Sequence, residues 1–262
     1  MLLEVQRLFV SYADQDIVQD VSLSLAEGNV LAIVGESGSG KTTIIRAILG
    51  CLPHEGRVRE GTILFEGKNV FKNADQDWRQ LCGTKIAMVF QDSGSMLNPI
   101  QRIGKQFVEY ICEHSSIKKL EAAKAAEEML RKMQLPNPEN IMKSYPFELS
   151  GGMRQRVGVA MAMFFKPRLL LADEPTSALD VTTQAQVVKE MLEICHKDKT
   201  AIILVTHNIG VAAYMSDSLL VMREGKIVES GRTADIIAQP QTEYVRELLE
   251  AVPQVGGKRY VS

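Results

Sequence analysis

The sequence has few cysteines and no excess of basic residues. Its four cysteines include no C-x-x-C pair, so neither a zinc site nor a disulfide framework is expected. Thirty lysines and arginines face thirty-two aspartates and glutamates, which leaves a net charge of -2. Because this balance gives no broad electrostatic attraction to phosphate backbones, nucleic acid is not expected as the main partner.

The sequence also lacks a long hydrophobic run. Its most apolar stretch, residues 158–165, is much shorter than the roughly 20 residues that span a bilayer. Charged residues interrupt residues 1–7 too early for a signal peptide, and no repeat or low-complexity segment is visible. If the protein works at a membrane, we expect another chain to hold it there.

What is present is ordinary globular composition, 45% hydrophobic and 24% charged, with alternating strand and helix patterns. Residues 2–11 and 17–25 alternate apolar and polar side chains and predict a small antiparallel sheet with a turn at 13–16. Apolar runs at 30–34, 169–172 and 201–205 predict buried parallel strands. A helix is expected over 182–194, and a helical insert over about 103–133. A hairpin is expected near 219–229, followed by an amphipathic tail from 233 to about 252.

A glycine-rich loop follows the first buried strand and opens a helix. Residues 35–42 match G-x-x-x-x-G-K-[ST], in which backbone amides and the helix N-terminus cradle phosphates. Lys41 would reach the phosphate oxygens, and the Thr42 hydroxyl would ligate Mg²⁺. The alternative is a chance glycine loop, which the flanking strand and helix disfavour.

Two adjacent carboxylates, Asp173 and Glu174, end another buried strand, where open α/β sheets place their ligands. Asp173 would hold the Mg²⁺ shell, and Glu174 would orient and deprotonate an attacking water. Taken alone, the pair could equally cap a helix that starts near Pro175.

A second candidate anion site lies at residues 149–156, where Ser150, Gly151 and Gly152 precede a helix. A simple N-cap would explain Ser150 but not the glycine pair. The segment resembles the signature sequence of ATP-binding cassette proteins. In that family the signature contacts the γ-phosphate of ATP bound by the opposite subunit, so two chains form two shared sites.

The resemblance extends over nearly the whole chain and implies further roles. Tyr12 would stack on adenine, Gln91 would sense Mg²⁺, and His207 would act as a switch at the γ-phosphate. Residues 177–180 would communicate across the dimer, and Asn208 replaces the usual aspartate after the histidine. The implied catalytic residues are Glu174, His207 and Gln91, and the implied metal site comprises Thr42, Gln91 and Asp173. The implied nucleotide-binding residues are Tyr12, Gly35, Glu36, Ser37, Gly38, Ser39, Gly40, Lys41, Thr42, Thr43, Ser150, Gly151, Gly152 and Gln155.

The implied fold is α/β, with a RecA-like P-loop NTPase core of mainly parallel sheet, an N-terminal antiparallel β subdomain and an inserted α-helical subdomain. The expected partition assigns 1–90 and 160–232 to the core, 91–159 to the Gln91 loop and helical signature subdomain, and 233–262 to a C-terminal tail. The implied cofactors are ATP and Mg²⁺.

Finer features resemble the importer branch for oligopeptides, dipeptides and nickel. They are residues 97–99, 145–148 and 153–156, and a partial match of 240–253 to its Pro-x-His-Pro-Tyr tail segment. The chain ends before the cysteine-containing extension common in peptide-uptake members, so peptide and nickel cargo both stay open. The implied partners are membrane permease subunits, a second identical or paralogous ATPase subunit and, indirectly, an extracytoplasmic substrate-binding protein, at the cytoplasmic face of the membrane. The alternatives are an exporter ATPase or a soluble cassette ATPase.

Overall fold

A computed structural model describes residues 1–13, 15–70, 77–177 and 179–251. An antiparallel sheet at the N-terminus has the strand order β2-β1-β4-β5. Side chains along its first two strands largely alternate between buried and exposed, as expected when one face of a sheet packs on a core. The strands are β1 (Leu3–Tyr12), β2 (Gln15–Leu25), β4 (Gly56–Phe65) and β5 (Lys68–Asn69).

A second sheet has six strands in the order β10-β9-β3-β8-β7-β6. Five of them run parallel, and only the last strand of the chain pairs antiparallel with its neighbour. Because parallel strands end at the same edge, the loops after the strands that end at residues 35, 89, 173 and 206 lie side by side. The strands are β3 (Val30–Gly35), β6 (Ile86–Val89), β7 (Leu169–Asp173), β8 (Ala201–Thr206), β9 (Ser218–Arg223) and β10 (Lys226–Arg232).

Helices cover both faces of this sheet. α1 packs between the two sheets, whereas the helices of residues 103–163 pack together beside the opposite face. The helices are α1 (Lys41–Leu49), α2 (Asp77–Leu81), α3 (Ser93–Met96), α4 (Ile103–His114), α5 (Lys119–Lys132), α6 (Pro138–Lys143), α7 (Gly151–Met163), α8 (Val181–Asp198), α9 (Ile209–Met215), α10 (Thr233–Ala238) and α11 (Glu243–Glu250).

The parallel sheet separates two hydrophobic cores. Val30, Ala32 and Val34 face the helices of residues 103–163 together with α8 and α9, while Leu31 and Ile33 face α1 and the antiparallel sheet. Successive side chains of a strand point to opposite faces, so one short strand contributes to both cores. This two-sided burial explains why β3, β7 and β8 have continuous apolar runs.

The expected α/β fold is confirmed, with differences in detail. The helical pattern of 103–133 forms two helices, because Ser115 ends α4 with its hydroxyl donating to Ile111 O at 2.6 Å. Strands β4 and β6 were not predicted. The helix expected over 182–194 is longer, Val181–Asp198, and the tail forms α10 and α11. The turn position Asp14 and the tail residues Val252 and Pro253 lie outside the described residues.

The partition into subdomains stays a prediction. α7 runs without a break across the boundary expected between residues 159 and 160. Across the described ranges, we find no helix with the length and apolar character that crossing a membrane requires.

Candidate active site

The glycine-rich loop joins β3 to α1 and ends at Gly40. This residue has φ 97° and lies so close to β2 that an added Cβ would be 2.8 Å from Ile17 O. A side chain here would therefore be strained and would also collide with backbone. The first turn of α1 contains no acidic residue, and no side chain caps its N-terminus. Its amide groups consequently favour an anionic ligand.

Lys41 is buried at the start of α1, with its ammonium group turned into the loop. Nζ donates to Gly35 O at 2.8 Å, to Glu36 O at 2.5 Å and to Ser39 Oγ at 3.2 Å. Burial lowers the pKa of Lys41, while the nearby carboxylates of Glu174, Asp173 and Glu36 act in the opposite direction. A phosphate group would replace backbone carbonyls with a charged partner, which gives a stronger hydrogen bond.

Thr42 and Asp173 meet beside Lys41, although 131 positions separate them in the chain. The Thr42 hydroxyl donates to Asp173 Oδ1 at 3.0 Å. Burial raises the pKa of Asp173, and the Thr42 hydrogen bond opposes that shift. A hydroxyl and a carboxylate with this spacing suit Mg²⁺, which takes one or two protein oxygens and fills its other positions with water and phosphate oxygens.

Glu174 receives side chains from two neighbouring loops. Its Oε2 lies 3.0 Å from His207 Nδ1 and accepts a hydrogen bond from Gln91 Nε2 at 3.4 Å. The backbone of Glu174 has φ 45°, a conformation that non-glycine residues rarely adopt, and its amide donates to Val205 O at 2.8 Å. Such strain occurs often at functional sites, where surrounding contacts hold it in place.

These groups surround one cavity of about 490 Å³. Ile17, from β2, also lines it and was not predicted; nothing in the sequence distinguishes this residue from other apolar strand positions. Asp173 reaches the same place through Thr42, and Gly35, Glu36 and Ser39 complete the loop. The lining residues are Ile17, Ser37, Gly38, Gly40, Lys41, Thr42, Thr43, Gln91, Glu174 and His207.

Tyr12, the candidate for adenine stacking, lies at the end of β1. Its ring packs against Gly56, where an added Cβ would meet Tyr12 Cε1 at 2.5 Å. Tyr12 is half-buried, and it does not line the cavity as described by the lining residues above. Its proposed role therefore depends on a base that extends beyond the cavity.

The signature residues lie at the N-terminus of α7, away from the cavity lining. Ser150 is the N-cap, with its hydroxyl accepting from Met153 N at 3.2 Å, so the capping interpretation is correct for this side chain. An added Cβ at Gly151 would meet no atom within 4 Å in the described chain. Packing within one chain therefore does not explain Gly151, and this exposed helix end is free to meet a ligand or a second subunit.

Gln155, expected to bind nucleotide, is buried one turn further along α7. Its Oε1 accepts from Ser93 N at 3.1 Å, and its Nε2 donates to Phe90 O at 3.2 Å. Both ends of the side-chain amide thus hold the loop that carries Gln91. This geometry gives Gln155 a link between the signature helix and the Gln91 loop.

The segment expected to communicate across a dimer, residues 177–180, is described except for Ala178, which lies outside the described residues. Asp180 is the N-cap of α8, and its Oδ1 accepts from Thr183 N at 3.0 Å. Asn208 caps α9 in the same way, accepting from Gly210 N at 2.9 Å and Val211 N at 3.2 Å. An aspartate at 208 would offer the same oxygen, so the cap does not require the usual residue.

A glycine-rich loop on the first parallel strand, with carboxylates at the end of a neighbouring strand, defines a P-loop NTPase. The family model for ABC transporters matches residues 18–177. The chain therefore belongs to the ABC transporter family and is one of its nucleotide-binding ATPases.

Individual relatives cover almost all of the chain. It is 42% identical to the oligopeptide transport ATP-binding protein OppD of Bacillus subtilis, over 96% of this chain and 72% of that protein. It is 41% identical to the dipeptide transport ATP-binding protein DppD of the same organism, over 97% of this chain and 77% of that protein. Among solved structures, cbiO1 from Clostridium perfringens, part of the ABC transporter complex cbiONQ, superposes with a TM-score of 0.77 at 26% identity, covering 97% of each chain.

Proposed function

We propose that this chain is the ATP-hydrolysing subunit of an ABC importer that takes up peptides through a separate permease. The observation that carries this proposal is the convergence of Lys41, Glu174 and His207 on one cavity. A phosphate-binding group, a carboxylate and a hydrogen-bonding imidazole are the parts that nucleotide hydrolysis requires of the protein.

Within the site, each side chain has a separate task. The loop amides and Lys41 bind the phosphates. Glu174 orients a water and accepts its proton, while His207 and Gln91 fix the direction of the Glu174 carboxylate through their hydrogen bonds. Mg²⁺, held by Thr42 and Asp173, would neutralise negative charge on the phosphates. Gln91 is placed to report an occupied site, because its backbone continues into the loop held by Gln155.

The signature residues complete the site from a second subunit. Ser150 and Gly151 lie at an exposed helix N-terminus in one chain, which fits a γ-phosphate bound by an identical or paralogous partner. In this arrangement Asp180 and its neighbours lie at the dimer interface.

A groove beside the Gln91 loop fits the permease contact. It has a volume of about 490 Å³ and is lined largely by apolar side chains, among them Leu97, Met161 and Met96, which is 61% exposed. We propose that a short helix of the permease binds there and holds the chain at the cytoplasmic face of the membrane. Movement of the helical subdomain on ATP binding would then be transmitted to the transport pathway.

Peptide is the favoured cargo because both relatives are named for peptide transport. Nickel or a metal chelate is the alternative, with selection made by the permease and an extracytoplasmic binding protein. An exporter ATPase or a soluble cassette ATPase is less well supported, since these importer subunits match nearly the whole chain.

The test is to isolate the chain from its native membrane under gentle detergent conditions and identify the proteins that travel with it. Permease subunits and a second cassette, with ATP hydrolysis stimulated by peptide and its binding protein, are the expected result. Stimulation by nickel instead would change the cargo. Recovery of the chain without any membrane protein would contradict the transporter assignment.

A further inference from the structure

The C-terminal helix α11 contacts the phosphate loop directly. The hydroxyl of Tyr244 accepts a hydrogen bond from Glu36 N at 3.2 Å, across 208 positions of sequence. The carbonyl of the same residue, Glu36, accepts from Lys41 Nζ at 2.5 Å. One peptide unit of the loop is therefore held by the tail on one side and holds the phosphate-binding ammonium group on the other.

We propose that Tyr244 is a positioning residue that sets the resting geometry of the phosphate loop, so that the C-terminal tail tunes nucleotide affinity. This inference deepens the proposed function, because it assumes that the loop binds nucleotide phosphates. Tyr244 itself touches the protein and is not a catalytic residue.

Tyr244 is well suited to transmit a position. Its side chain is only 7% exposed, and the Arg223 guanidinium carbon lies 5.0 Å from the centre of its ring. Its neighbour Val245 is fully buried in the core formed with the parallel sheet. Since burial and the cation–π contact restrict the ring, its hydroxyl is presented to Glu36 in one orientation.

Glu229, on β10, fixes the start of α11. Its Oε1 accepts from Gln241 N at 3.0 Å, and its Oε2 accepts from Thr242 N at 3.1 Å and Thr242 Oγ1 at 2.9 Å. Partial burial alone would raise the pKa of Glu229, but these donors together bring it below its ordinary value. Thr242 in turn caps α11 by accepting from Val245 N at 3.3 Å. The tail is thus tied to the sheet immediately before Tyr244.

The hairpin between β9 and β10 braces the other end of the loop. Gly225 N donates to Ser39 O at 3.2 Å, while Gly225 O accepts from Gln19 N at 2.8 Å. Because this contact fixes Ser39, the Tyr244 contact at Glu36 leaves the intervening Ser37 and Gly38 as the exposed part of the loop. A change at Tyr244 would therefore alter the direction of the amides that meet a phosphate.

The test compares Tyr244→Phe, which removes only the hydroxyl, with Tyr214→Phe, a control at a position that is 68% exposed on α9. Glu229→Gln supplies a second variant that weakens the attachment of the tail without touching the loop. For each protein we would measure the Kd and KM for Mg-ATP, kcat at saturation, the melting temperature, and hydrogen exchange of the Glu36 amide.

We expect Tyr244→Phe to raise Kd and KM by about two- to tenfold, the range of one net hydrogen bond. Exchange of the Glu36 amide should accelerate, while kcat and the melting temperature stay near those of Tyr214→Phe. Glu229→Gln should shift Kd in the same direction by a smaller factor.

Unchanged Kd and unchanged Glu36 exchange in Tyr244→Phe would overturn the inference. A fall in melting temperature with faster exchange throughout β3 would also overturn it, since Tyr244 would then be a packing residue. If the unmutated chain bound no nucleotide, the proposed function would fail separately, and Glu36 exchange would still decide whether Tyr244 positions the loop.

Discussion

Glu174 Oε2 lies 3.0 Å from His207 Nδ1, which joins the loops that follow two adjacent parallel strands, β7 and β8. The Glu174 side chain is 18% exposed, against 59% for His207, so the carboxylate faces the protein while the imidazole borders solvent. A donor on His207 restricts the carboxylate to one orientation at the cavity. This arrangement is what a residue that positions water requires.

Glu174→Gln should separate binding from hydrolysis. The amide keeps the size of the side chain but cannot accept a proton, and removal of a positioned base commonly lowers rates by ~10² to 10⁴-fold. We expect near-normal Mg-ATP affinity with this loss in kcat. The measurement is steady-state ATPase activity together with equilibrium nucleotide binding.

A matched control for that variant is Glu193→Gln, which makes the same change at an exposed position on α8. It should leave both binding and turnover unaltered. Activity near the normal level in Glu174→Gln, measured in the reconstituted transporter, would show that another group activates the water.

Lys41→Ala should weaken nucleotide binding within a single chain. The substitution deletes a buried ammonium group that now bonds three loop oxygens and would bond phosphates when nucleotide is present. Hydrogen bonds to charged groups contribute about 1.5–3 kcal/mol, so affinity should fall by about ten- to a hundredfold. Titration of the isolated chain with a fluorescent ATP analogue measures this loss; unchanged affinity would place the phosphates elsewhere.

Ser150→Arg should act on subunit pairing instead. The new side chain adds bulk and charge at an exposed helix end, where we propose that the partner's nucleotide binds. ATP affinity of the monomer should persist while ATP-dependent dimerisation fails, as measured by sedimentation. Ser150→Ala is the control because it removes only the N-cap, at a cost of about 1 kcal/mol in stability. Equal loss of monomer affinity in Ser150→Arg and Lys41→Ala would mean that Ser150 faces its own chain's site.

The parts of the site that sequence predicted well are local in the chain. The loop of 35–42 is a continuous motif, and Asp173 and Glu174 follow an apolar run that indicates a buried strand end. That such strand ends converge follows from parallel topology, so the meeting of Thr42 and Asp173 was foreseeable.

The contacts that could not be predicted join distant segments. Ile17 borders the cavity because β2 passes close to Gly40, and Tyr244 reaches Glu36 only once the tail has folded back on the sheet. The tail motif did draw attention to Tyr244, but no periodicity specified its partner. Strand β4 was missed because charged residues interrupt its first half, and only pairing with β1 stabilises it.

Asp173→Asn should reveal a conflict between stability and function. Burial raises the folded-state pKa of Asp173 above its unfolded value, so the ionised carboxylate destabilises the fold at neutral pH. This penalty disappears as pH falls below the unfolded pKa, where both states are protonated. The asparagine variant lacks the penalty and keeps an acceptor for Thr42.

We therefore expect Asp173→Asn to raise the free energy of unfolding at pH 7 and to lose this advantage progressively towards about pH 4, near the ordinary aspartate pKa. Denaturant titrations of both proteins in the absence of nucleotide measure the difference. Mg-dependent ATP hydrolysis should be lost. A variant that is less stable at pH 7 than at low pH, relative to the unmutated chain, would contradict the assigned sign.

Coupling to the permease should depend on the apolar groove beside the Gln91 loop. Met96 lines this groove and is 61% exposed, so Met96→Glu would place a charge where we propose that a permease helix binds. Burying an unpaired carboxylate against an apolar partner is costly, whereas the isolated subunit keeps that carboxylate in water. We expect cargo uptake and permease co-purification to fall severalfold while ATP binding by the isolated chain stays normal. Leu120→Glu is the matched control, since Leu120 is 71% exposed on α5 and does not line the groove. Equal uptake and co-purification in the two variants would show that the permease docks at another surface.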